Sequence, residues 1–309
     1  MPLTTEQLAI RRERISATDV AVILALNPWK TPADLWLEKT QDVEPLEESE
    51  PMAVGNMVES PLIDWCAASL GVQPDRELGT IIHPDYDWLC ATPDAGIVGQ
   101  ARGIEAKSGG IVRGFVEADK WGAADTDEVP QEYWCQCQVQ MACCQWDGVW
   151  LAALIAGRGR VRYFIPRDNA AIAAMIDAAY QWYEQHMQTG IAPTDSTPDI
   201  ETLKRVRRVP NKIATVPSEL GEEFDAAKDA LKLAEERADK AKAALLYAAG
   251  DADGIRSGLR SYTYFTQSRK GVDLERLRSE FPDAAEACAK VSRFPVLRSV
   301  KAGKKGQAA

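Results

Sequence analysis

The chain has 309 residues, 46% of them hydrophobic, and carries a formal net charge of −10. This length allows one large domain or two modest ones, each with its own core. Only two histidines are present, which argues against histidine triads and histidine-rich metal sites, and seven irregularly spaced cysteines predict free thiols in a reducing compartment.

Neither a signal peptide nor a transmembrane helix is expected. The N-terminus has no basic segment followed by an apolar core, and the chain contains no run of about 18 apolar residues. The sequence therefore predicts a cytoplasmic protein without a membrane partner.

Charge is distributed unevenly along the chain. Residues 1–200 contain 14 Lys and Arg against 30 Asp and Glu, whereas residues 201–309 contain 22 against 16. The excess of acid argues against strong non-specific DNA binding by the first part alone, and the basic excess of the last part favours a role near DNA.

A polar break that contains prolines, residues 193–198, is the predicted domain boundary. We therefore expect one domain over residues 1–195 and an accessory region over residues 196–309. In the accessory region, apolar residues at helical spacing predict a long amphipathic helix over residues 217–249. A strand pair, two short helices and a basic, disordered tail from Gly303 are predicted to follow.

The first domain contains alternating helical and strand patterns. Apolar periodicity, capping residues and turn signals predict two helical pieces within 5–28, the second with a cap at Ser16 or Thr18, and helices at 31–39, 55–70, 130–145 and 168–188. The predicted strands are 78–83, 88–92, 95–99, 102–107, 149–156 and 161–165. Residues 41–51 are acidic and polar and are predicted to form an exposed loop. This order of elements predicts a mixed α/β fold.

The strand predicted over residues 102–107 carries the most informative pattern. Ile104 and Ala106 point to one face because strand side chains alternate with period two. Glu105 and Lys107 point to the other, polar face, where a carboxylate and an ammonium can hold a divalent metal and handle a water. By itself, a Glu-x-Lys pair is more often a solvated strand face.

The surrounding sequence strengthens the metal interpretation. Pro93-Asp94, a gap of ten residues and then Glu105-x-Lys107 form the PD-(D/E)xK signature of metal-dependent nucleases. Glu59, on the helix predicted after Gly55, is a third acid that can converge on the same site. Taken singly, Asp94 is also explained as a turn residue and Glu59 as an acid that the helix dipole favours.

Several motifs together resemble the YqaJ-type viral recombinases of the lambda exonuclease family. They are Ile15-Ser16-Ala17-Thr18-Asp19, Asn27-Pro28-Trp29-Lys30-Thr31-Pro32, Leu35-Trp36, Gly55-x-x-x-Glu59, Thr92-Pro93-Asp94, Glu105-x-Lys107 and Tyr133-Trp134-Cys135-Gln136-Cys137-Gln138. The resemblance covers about residues 10–190. It implies a restriction-endonuclease-like core, with a mixed central sheet flanked by helices.

The resemblance also implies an activity. Members degrade one strand of linear double-stranded DNA from its 5′ end, with Mg²⁺ as cofactor, as a ring-shaped homo-oligomer, a trimer or tetramer. The 3′ single-stranded tail then feeds a single-strand annealing protein in phage-type recombination. The implied location is the cytoplasm of a bacterium or of a phage-infected host.

The resemblance assigns roles to the site residues. Asp94 and Glu105 are the implied metal ligands, and Glu59 is the helix carboxylate that supports a second metal. Two Mg²⁺ ions per site are expected, with Mn²⁺ as a substitute. Lys107 would orient or deprotonate the attacking water, and we expect its desolvated, metal-adjacent setting to lower its pKa. Gln136 is implied to bind Lys107 or the substrate, with Tyr133 as the first residue of a supporting Tyr-x-x-Gln motif.

A 5′-phosphate site is implied near the N-terminus. The family has an arginine in the first helix and a hydroxyl at the start of the next one. Arg11 and Thr18 align best with these positions, and Ser16 is a near alternative for the hydroxyl. Arg12 and Arg14 remain alternatives for the arginine.

Other interpretations stay open at this point. The enzyme alternative is a structure-specific or restriction-type endonuclease on the same core, and the non-enzymatic alternative is a DNA-binding recombination scaffold. The basic run at residues 204–208 fits a DNA contact or a solvated linker. One set of cysteines invites a metal-cluster interpretation, but one helix cannot point them all at one metal, so we expect core thiols. These cysteines are Cys135, Cys137, Cys143 and Cys144.

Overall fold

The computed structural model describes residues 3–109, 111–112, 115–116, 120–290 and 297. The chain forms two compact units, Met1–Arg208 and Val209–Ala309. No helix within the described residues is both long enough and apolar enough to cross a lipid bilayer.

The helices of the N-terminal unit start and stop at residues whose chemistry suits helix ends. Thr31 accepts a hydrogen bond from the backbone N of Asp34, and Pro32 occupies the first turn of the helix that follows. Gly71, with φ +67°, ends another helix in the left-handed conformation. The helices described in this unit are α1 (Thr5–Arg12), α2 (Ala17–Ile23), α3 (Pro32–Thr40), α4 (Glu50–Leu70), α5 (Gln131–Cys144), α6 (Asn169–Trp182) with a π-helical turn after it (Tyr183–Gln188), and α7 (Ile200–Arg205).

The strands of this unit form a mixed central sheet and two smaller sheets. The described strands are β1 (Ile15–Ser16), β2 (Pro74–Asp75), β3 (Ile81–Ile82), β4 (Leu89–Ala91), β5 (Ala95–Ile97), β6 (Gln100–Gly109), β7 (Ile111–Val112), β8 (Phe115–Val116), β9 (Gly148–Ile155) and β10 (Gly159–Pro166). The central sheet has the order β10-β9-β6-β5-β2, in which β6 and β9 run parallel and the other neighbours are antiparallel. A three-stranded sheet has the order β1-β4-β3.

Helices cover both faces of the central sheet. On one face, Leu62 of α4 belongs to the same buried cluster as Ile104 of β6. On the other, Met141 of α5 belongs to the same buried cluster as Leu151 of β9. The mixed central sheet flanked by helices that the sequence predicts is confirmed.

Two predicted elements differ in detail. The helix expected to open at Gly55 begins at Glu50, because Pro51 starts a helix well and residue 49 takes the extended cap conformation. The two helical pieces predicted within residues 5–28 are α1 and α2, and Ser16 is the N-cap residue of α2. Between them lies the short strand β1, which the sequence does not predict and in which the backbone N of Ile15 donates to the carbonyl of Trp88 at 2.8 Å.

The N-terminal unit extends beyond the predicted boundary at residue 195. The backbone N of Asp199, which precedes α7, donates to Oδ1 of Asp34 at 2.8 Å. Arg205 forms an ion pair of 2.6 Å with Glu38. Residues 196–208 therefore pack on α3, and the compact unit ends at Arg208.

The C-terminal unit contains the predicted long helix, a hairpin and two short helices. Its elements are α8 (Ser218–Ala249), β11 (Gly254–Ser257), β12 (Arg260–Thr263), α9 (Leu274–Glu280) and α10 (Pro282–Ala287). Along α8, the predicted apolar stripe is exposed at Leu220, Phe224, Leu231 and Leu233. The predicted tail from Gly303 lies outside the described residues.

Candidate active site

Side-chain alternation along β6 divides its residues between the two helices that cover the sheet. Ile104 packs towards α4, and Glu105 points towards α5, as the period of two predicts. The polar face is not solvated, however, because α5 covers it and leaves Glu105 1% exposed. The alternative of a solvated strand face is wrong for Glu105.

The buried Glu105 carboxylate is held by three donors. Gln136 of α5 donates from Nε2 to Oε1 at 2.6 Å, and Gln140 donates from Nε2 to Oε2 at 2.7 Å. Lys107 contacts Oε1 through Nζ. Charge-assisted hydrogen bonds of this kind satisfy a buried carboxylate and restrict its rotation. Both oxygens of Glu105 are therefore held in a defined orientation.

Asp94 lies beside Glu105 across the β5–β6 pair. Its Oδ2 accepts a hydrogen bond from the backbone N of Ala106 at 2.8 Å. Burial and then the neighbouring charge of Glu105 raise the pKa of Asp94 to about 8. A carboxyl group whose ionisation is disfavoured by a neighbouring carboxylate forms a site that a divalent cation would stabilise.

Lys107 is held as a cation by its carboxylate neighbours. Burial acts to lower the pKa of Lys107, but the charges of Glu105 and Asp94 outweigh burial and raise the pKa above its ordinary value. Desolvation by itself therefore does not lower this pKa, because the attraction of the two acids exceeds the cost of burial. The Nζ atom also lies 5.4 Å from the centre of the Tyr133 ring, a cation–π distance.

Glu59 lines the same cavity as Asp94 and Lys107. The cavity has a volume of about 280 Å³ and lies between α4 and the end of β6. The charge of Glu59 contributes to the raised pKa of Asp94. The structure therefore brings all five predicted catalytic residues to one region, with Gln136 behind Glu105.

The donor set fits a hydrated hard cation. Among the described residues, no three His, Cys, Asp or Glu side chains converge in the arrangement of a metal site. Mg²⁺ commonly uses one or two carboxylates, several waters and substrate phosphates, and it does not need an all-protein cage. Asp94 supplies such a carboxylate in the lining of an open cavity, and Glu105 lies beside it.

Gln140 is a site residue that the motif comparison missed. It lies four positions after Gln136 on α5, so both side chains are on one helix face. Its contact with Glu105 spans 35 positions of the sequence. The spacing of four residues from Gln136 indicates that Gln140 lies on the same helix face. This spacing alone does not distinguish Gln140 from other buried polar residues of α5.

We expect Gln140→Leu to reduce hydrolysis by roughly 10- to 100-fold, as loss of a residue that orients a metal ligand does. Stability should also fall, because Oε2 of the buried Glu105 carboxylate loses the donor Nε2 of Gln140. Turnover with saturating Mg²⁺ and melting temperature are measured together.

Gln138→Leu is the matched control for this substitution. Gln138 is also buried on α5, but it bonds the carbonyl of Pro166 and the backbone N of Asp168, away from Glu105. The control should lose stability and keep turnover per folded molecule. Equal turnover in Gln140→Leu and the parent chain would show that Gln140 does not position Glu105.

A second polar cluster lies where α1 meets α2. The guanidinium Nη2 of Arg11 donates to Oγ of Ser16 at 3.1 Å and to Oγ1 of Thr18 at 2.8 Å. The other candidate arginines point elsewhere: Arg12 donates to the carbonyl of Gln41 and Arg14 donates to the carbonyl of Asp87. Arg11 is therefore the candidate arginine that meets both hydroxyls.

The cysteines of α5 are core residues, as predicted. Cys135, Cys137 and Cys143 are buried, Cys144 is half-buried, and all are free thiols. Burial raises the pKa of Cys135 and Cys144 to about 12, so these thiols stay neutral.

Comparison with known proteins identifies the family. Residues 6–147 match the family model of the YqaJ-like viral recombinase domain. This part of the chain is therefore similar to a YqaJ-like viral recombinase domain. Over 300 residues the chain is 25% identical to Uncharacterized protein YqaJ of Bacillus subtilis (strain 168). The match covers 94% of this chain and 92% of that protein. The family expected from the sequence motifs is confirmed.

Solved structures similar to this chain include two exonucleases. An alkaline exonuclease (LHK-Exo) from Laribacter hongkongensis is 20% identical with a TM-score of 0.47, and the match covers 60% of this chain and 94% of that one. A phage related exonuclease from Haemophilus somnus 129PT is 13% identical with a TM-score of 0.43, covering 58% and 96%.

The YqaJ-like domain contains both polar clusters. Arg11 and Ser16 lie near the start of the matched range, and Gln136 and Gln140 lie near its end. The functional roles of these residues remain predictions.

Proposed function

We propose that the chain is a metal-dependent 5′-to-3′ exonuclease that acts on the ends of linear double-stranded DNA. It leaves 3′ single-stranded tails for homologous recombination by strand annealing. The observation that carries this proposal is the pair of neighbouring acids, the partly buried Asp94 and the buried Glu105, with Asp94 and the cationic Lys107 lining an open cavity. The match of residues 6–147 to a viral recombinase family model supports the recombination context.

The residues of the site suit phosphodiester hydrolysis. Asp94 and Glu105 would hold Mg²⁺ or Mn²⁺, with Glu59 available for a second ion. When bound, such ions stabilise charge on the phosphate and favour formation of a hydroxide nucleophile. Lys107, as an ammonium, orients the attacking water and attracts the scissile phosphate. Gln136 and Gln140 keep the Glu105 oxygens in place, and this positioning is most of what a protein contributes to such a reaction.

The deciding experiment compares two DNA substrates of equal sequence. A linear duplex with 5′ phosphates and a covalently closed circle are incubated with the full chain in Mg²⁺, Mn²⁺, Ca²⁺ or excess chelator. We expect loss of the linear duplex only, in Mg²⁺ or Mn²⁺. Ca²⁺ should permit DNA binding without efficient cleavage because its coordination is looser.

Each alternative makes a different prediction for this experiment. Cleavage of the closed circle would favour the endonuclease, and binding without loss of either DNA would favour the scaffold. Full activity in excess chelator would exclude the metal mechanism.

Recognition of the 5′ end is proposed for the cluster of Arg11, Ser16 and Thr18. A guanidinium beside two hydroxyls offers converging donors to a terminal phosphate. We expect Arg11→Ala to reduce the preference for 5′-phosphorylated over 5′-hydroxyl duplexes by roughly tenfold, about 1.4 kcal/mol. Initial rates on the two substrates measure this preference.

Arg12→Ala and Arg14→Ala are the controls for this prediction. Neither side chain reaches the hydroxyl cluster, so both variants should keep the parent preference. The same rate ratio in all three variants and the parent would show that this region does not read the end.

We further propose a homo-oligomeric ring, a trimer or tetramer, that hands the 3′ tail to an annealing protein. Residues 209–309 are proposed as an accessory arm for subunit or DNA contacts, on the basis of the apolar stripe of α8 and the basic composition. We expect a chain ending at Arg208 to keep hydrolysis of short duplexes. It should lose oligomer mass, salt-dependent DNA affinity, or both.

Mass in solution and the slope of affinity against salt concentration test the arm. If both match the full chain, the arm serves neither purpose. A folded chain of 208 residues without hydrolysis would show that the arm belongs to the active site.

A further inference from the structure

A buried ion pair underlies the Arg11 cluster. Nζ of Lys39, on α3, lies 2.7 Å from Oδ2 of Asp19, on α2. Their side chains are 7% and 8% exposed. A buried ion pair is weak evidence for a role in stability, because apolar replacements are often as stable. Its contacts point to another role.

Lys39 joins this pair to the end of α1. Its ammonium donates to the carbonyl of Arg14 at 2.7 Å and also to the carbonyl of Arg11. An ammonium has three donors, and Lys39 directs them at two carbonyls and one carboxylate. Lys39 therefore holds the backbone from which the Arg11 guanidinium projects, while its own burial keeps it away from DNA.

Asp19 joins the pair to the hydroxyls. Its Oδ2 accepts from the backbone N of Ser16 at 2.8 Å and from Oγ of Ser16 at 2.7 Å. The Ser16 hydroxyl is in turn 3.1 Å from Oγ1 of Thr18. Burial acts to raise the pKa of Asp19, but nearby cations led by Lys39 outweigh burial and hold the pKa well below its usual range. Asp19 is thus an anion directly behind the proposed phosphate site.

We propose that Lys39, through Asp19, is a positioning residue for recognition of the DNA 5′ phosphate, an inference that rests on the proposed end recognition. The pair clamps the end of α1 to the start of α2 and sets the distance between the Arg11 guanidinium and the hydroxyls of Ser16 and Thr18. It also neutralises Asp19, whose unpaired charge would repel a phosphate.

The test uses the full chain and three variants: Lys39→Met, Asp19→Asn and the double variant. The Michaelis constant, kcat and melting temperature are measured with 5′-phosphorylated and 5′-hydroxyl duplexes. The substrate ratio is kcat/KM for the 5′-phosphorylated duplex divided by kcat/KM for the 5′-hydroxyl duplex. We expect Lys39→Met to reduce this ratio at least tenfold, mainly through a higher KM for the phosphorylated duplex. Asp19→Asn should act in the same direction.

The double variant separates positioning from stability. Removing both charges leaves no unpaired buried ion, so the melting temperature should recover towards that of the parent. The substrate ratio should stay low because the clamp is still absent. Ile165→Ala, a cavity in a buried cluster that includes no residue of α2, controls for lost stability and should keep the parent ratio. If Lys39→Met does not fold, the double variant carries the same test.

Each result has one meaning. A parent-like ratio in folded Lys39→Met, or a ratio restored in the double variant, would overturn the positioning role and leave end recognition standing. A parent chain without preference for the 5′ phosphate would instead overturn end recognition itself, and the inference with it.

Discussion

Replacing Glu105 by Gln is expected to reduce DNA hydrolysis by about a thousandfold or more, equivalent to roughly 4 kcal/mol of transition-state stabilisation. The amide is nearly the same size as the carboxylate but carries no charge, so it binds a divalent cation poorly. It also removes the counter-charge of Lys107. Single-turnover hydrolysis of a 5′-phosphorylated duplex in saturating Mg²⁺ measures the effect.

The fold must be monitored in this experiment. Glu105 was expected on an exposed strand face, where substitution is harmless to the fold, but it is buried under α5. We therefore prefer Gln to Ala, since Ala would leave Gln136, Gln140 and Lys107 without their shared acceptor.

Asp34→Asn is a matched control for Glu105→Gln. Asp34 is also 1% exposed and accepts from three donors, the backbone N and Oγ1 of Thr31 and the backbone N of Asp199. It lies outside the proposed site, so its loss should reduce stability and not hydrolysis. Activity of folded Glu105→Gln within tenfold of the parent would contradict the assignment of Glu105 as a metal ligand.

Replacing Asp94 by Asn is expected to abolish hydrolysis and yet stabilise the metal-free protein. The pKa of Asp94 is about 8 in the folded chain, against an ordinary 3.8. Between these values the folded state binds more protons than the unfolded state, so the free energy of unfolding decreases as pH rises. Asn keeps an oxygen for the backbone N of Ala106 and removes the charge that Glu105 opposes. The stabilisation should therefore be absent below about pH 4, grow as the pH rises and be complete above about pH 8.

Melting temperatures with and without Mg²⁺ test this without an activity assay. The parent should gain stability with added Mg²⁺, because a ligand that binds only the folded state stabilises it by mass action. Asp94→Asn should gain much less, whereas Asp34→Asn should respond as the parent does. An equal Mg²⁺ response in Asp94→Asn would remove Asp94 from the proposed metal site.

Much of the local architecture was determined by sequence patterns with local causes. The period of two along β6 placed Glu105 and Lys107 on one face. Thr31 and Pro32 marked the start of α3, because a capping oxygen and a fixed φ satisfy the unpaired first turn of a helix. The combined motifs also identified the family, which depends on residue types and spacing and not on contacts.

Distant pairings were decided only by the tertiary structure. The short strand β1 forms between the two predicted helical pieces because β4 supplies hydrogen-bond partners. The sequence does not distinguish Arg11, Arg12 and Arg14 as candidates for the phosphate-binding arginine. In the structure, Arg11 donates to the hydroxyls of Ser16 and Thr18. Residues 196–208 join the first unit through contacts with α3 that no local composition encodes.

The charge states and partners of the site residues also depend on the tertiary structure. Sequence spacing placed Lys107 near acids, but the direction of its pKa shift depends on how burial compares with attraction by Glu105 and Asp94. Gln140 and the Lys39–Asp19 pair became visible only when helices packed on the sheet and on one another. Local periodicity determines which way a side chain points, whereas burial, partners and charge state depend on segments that meet only in the folded chain.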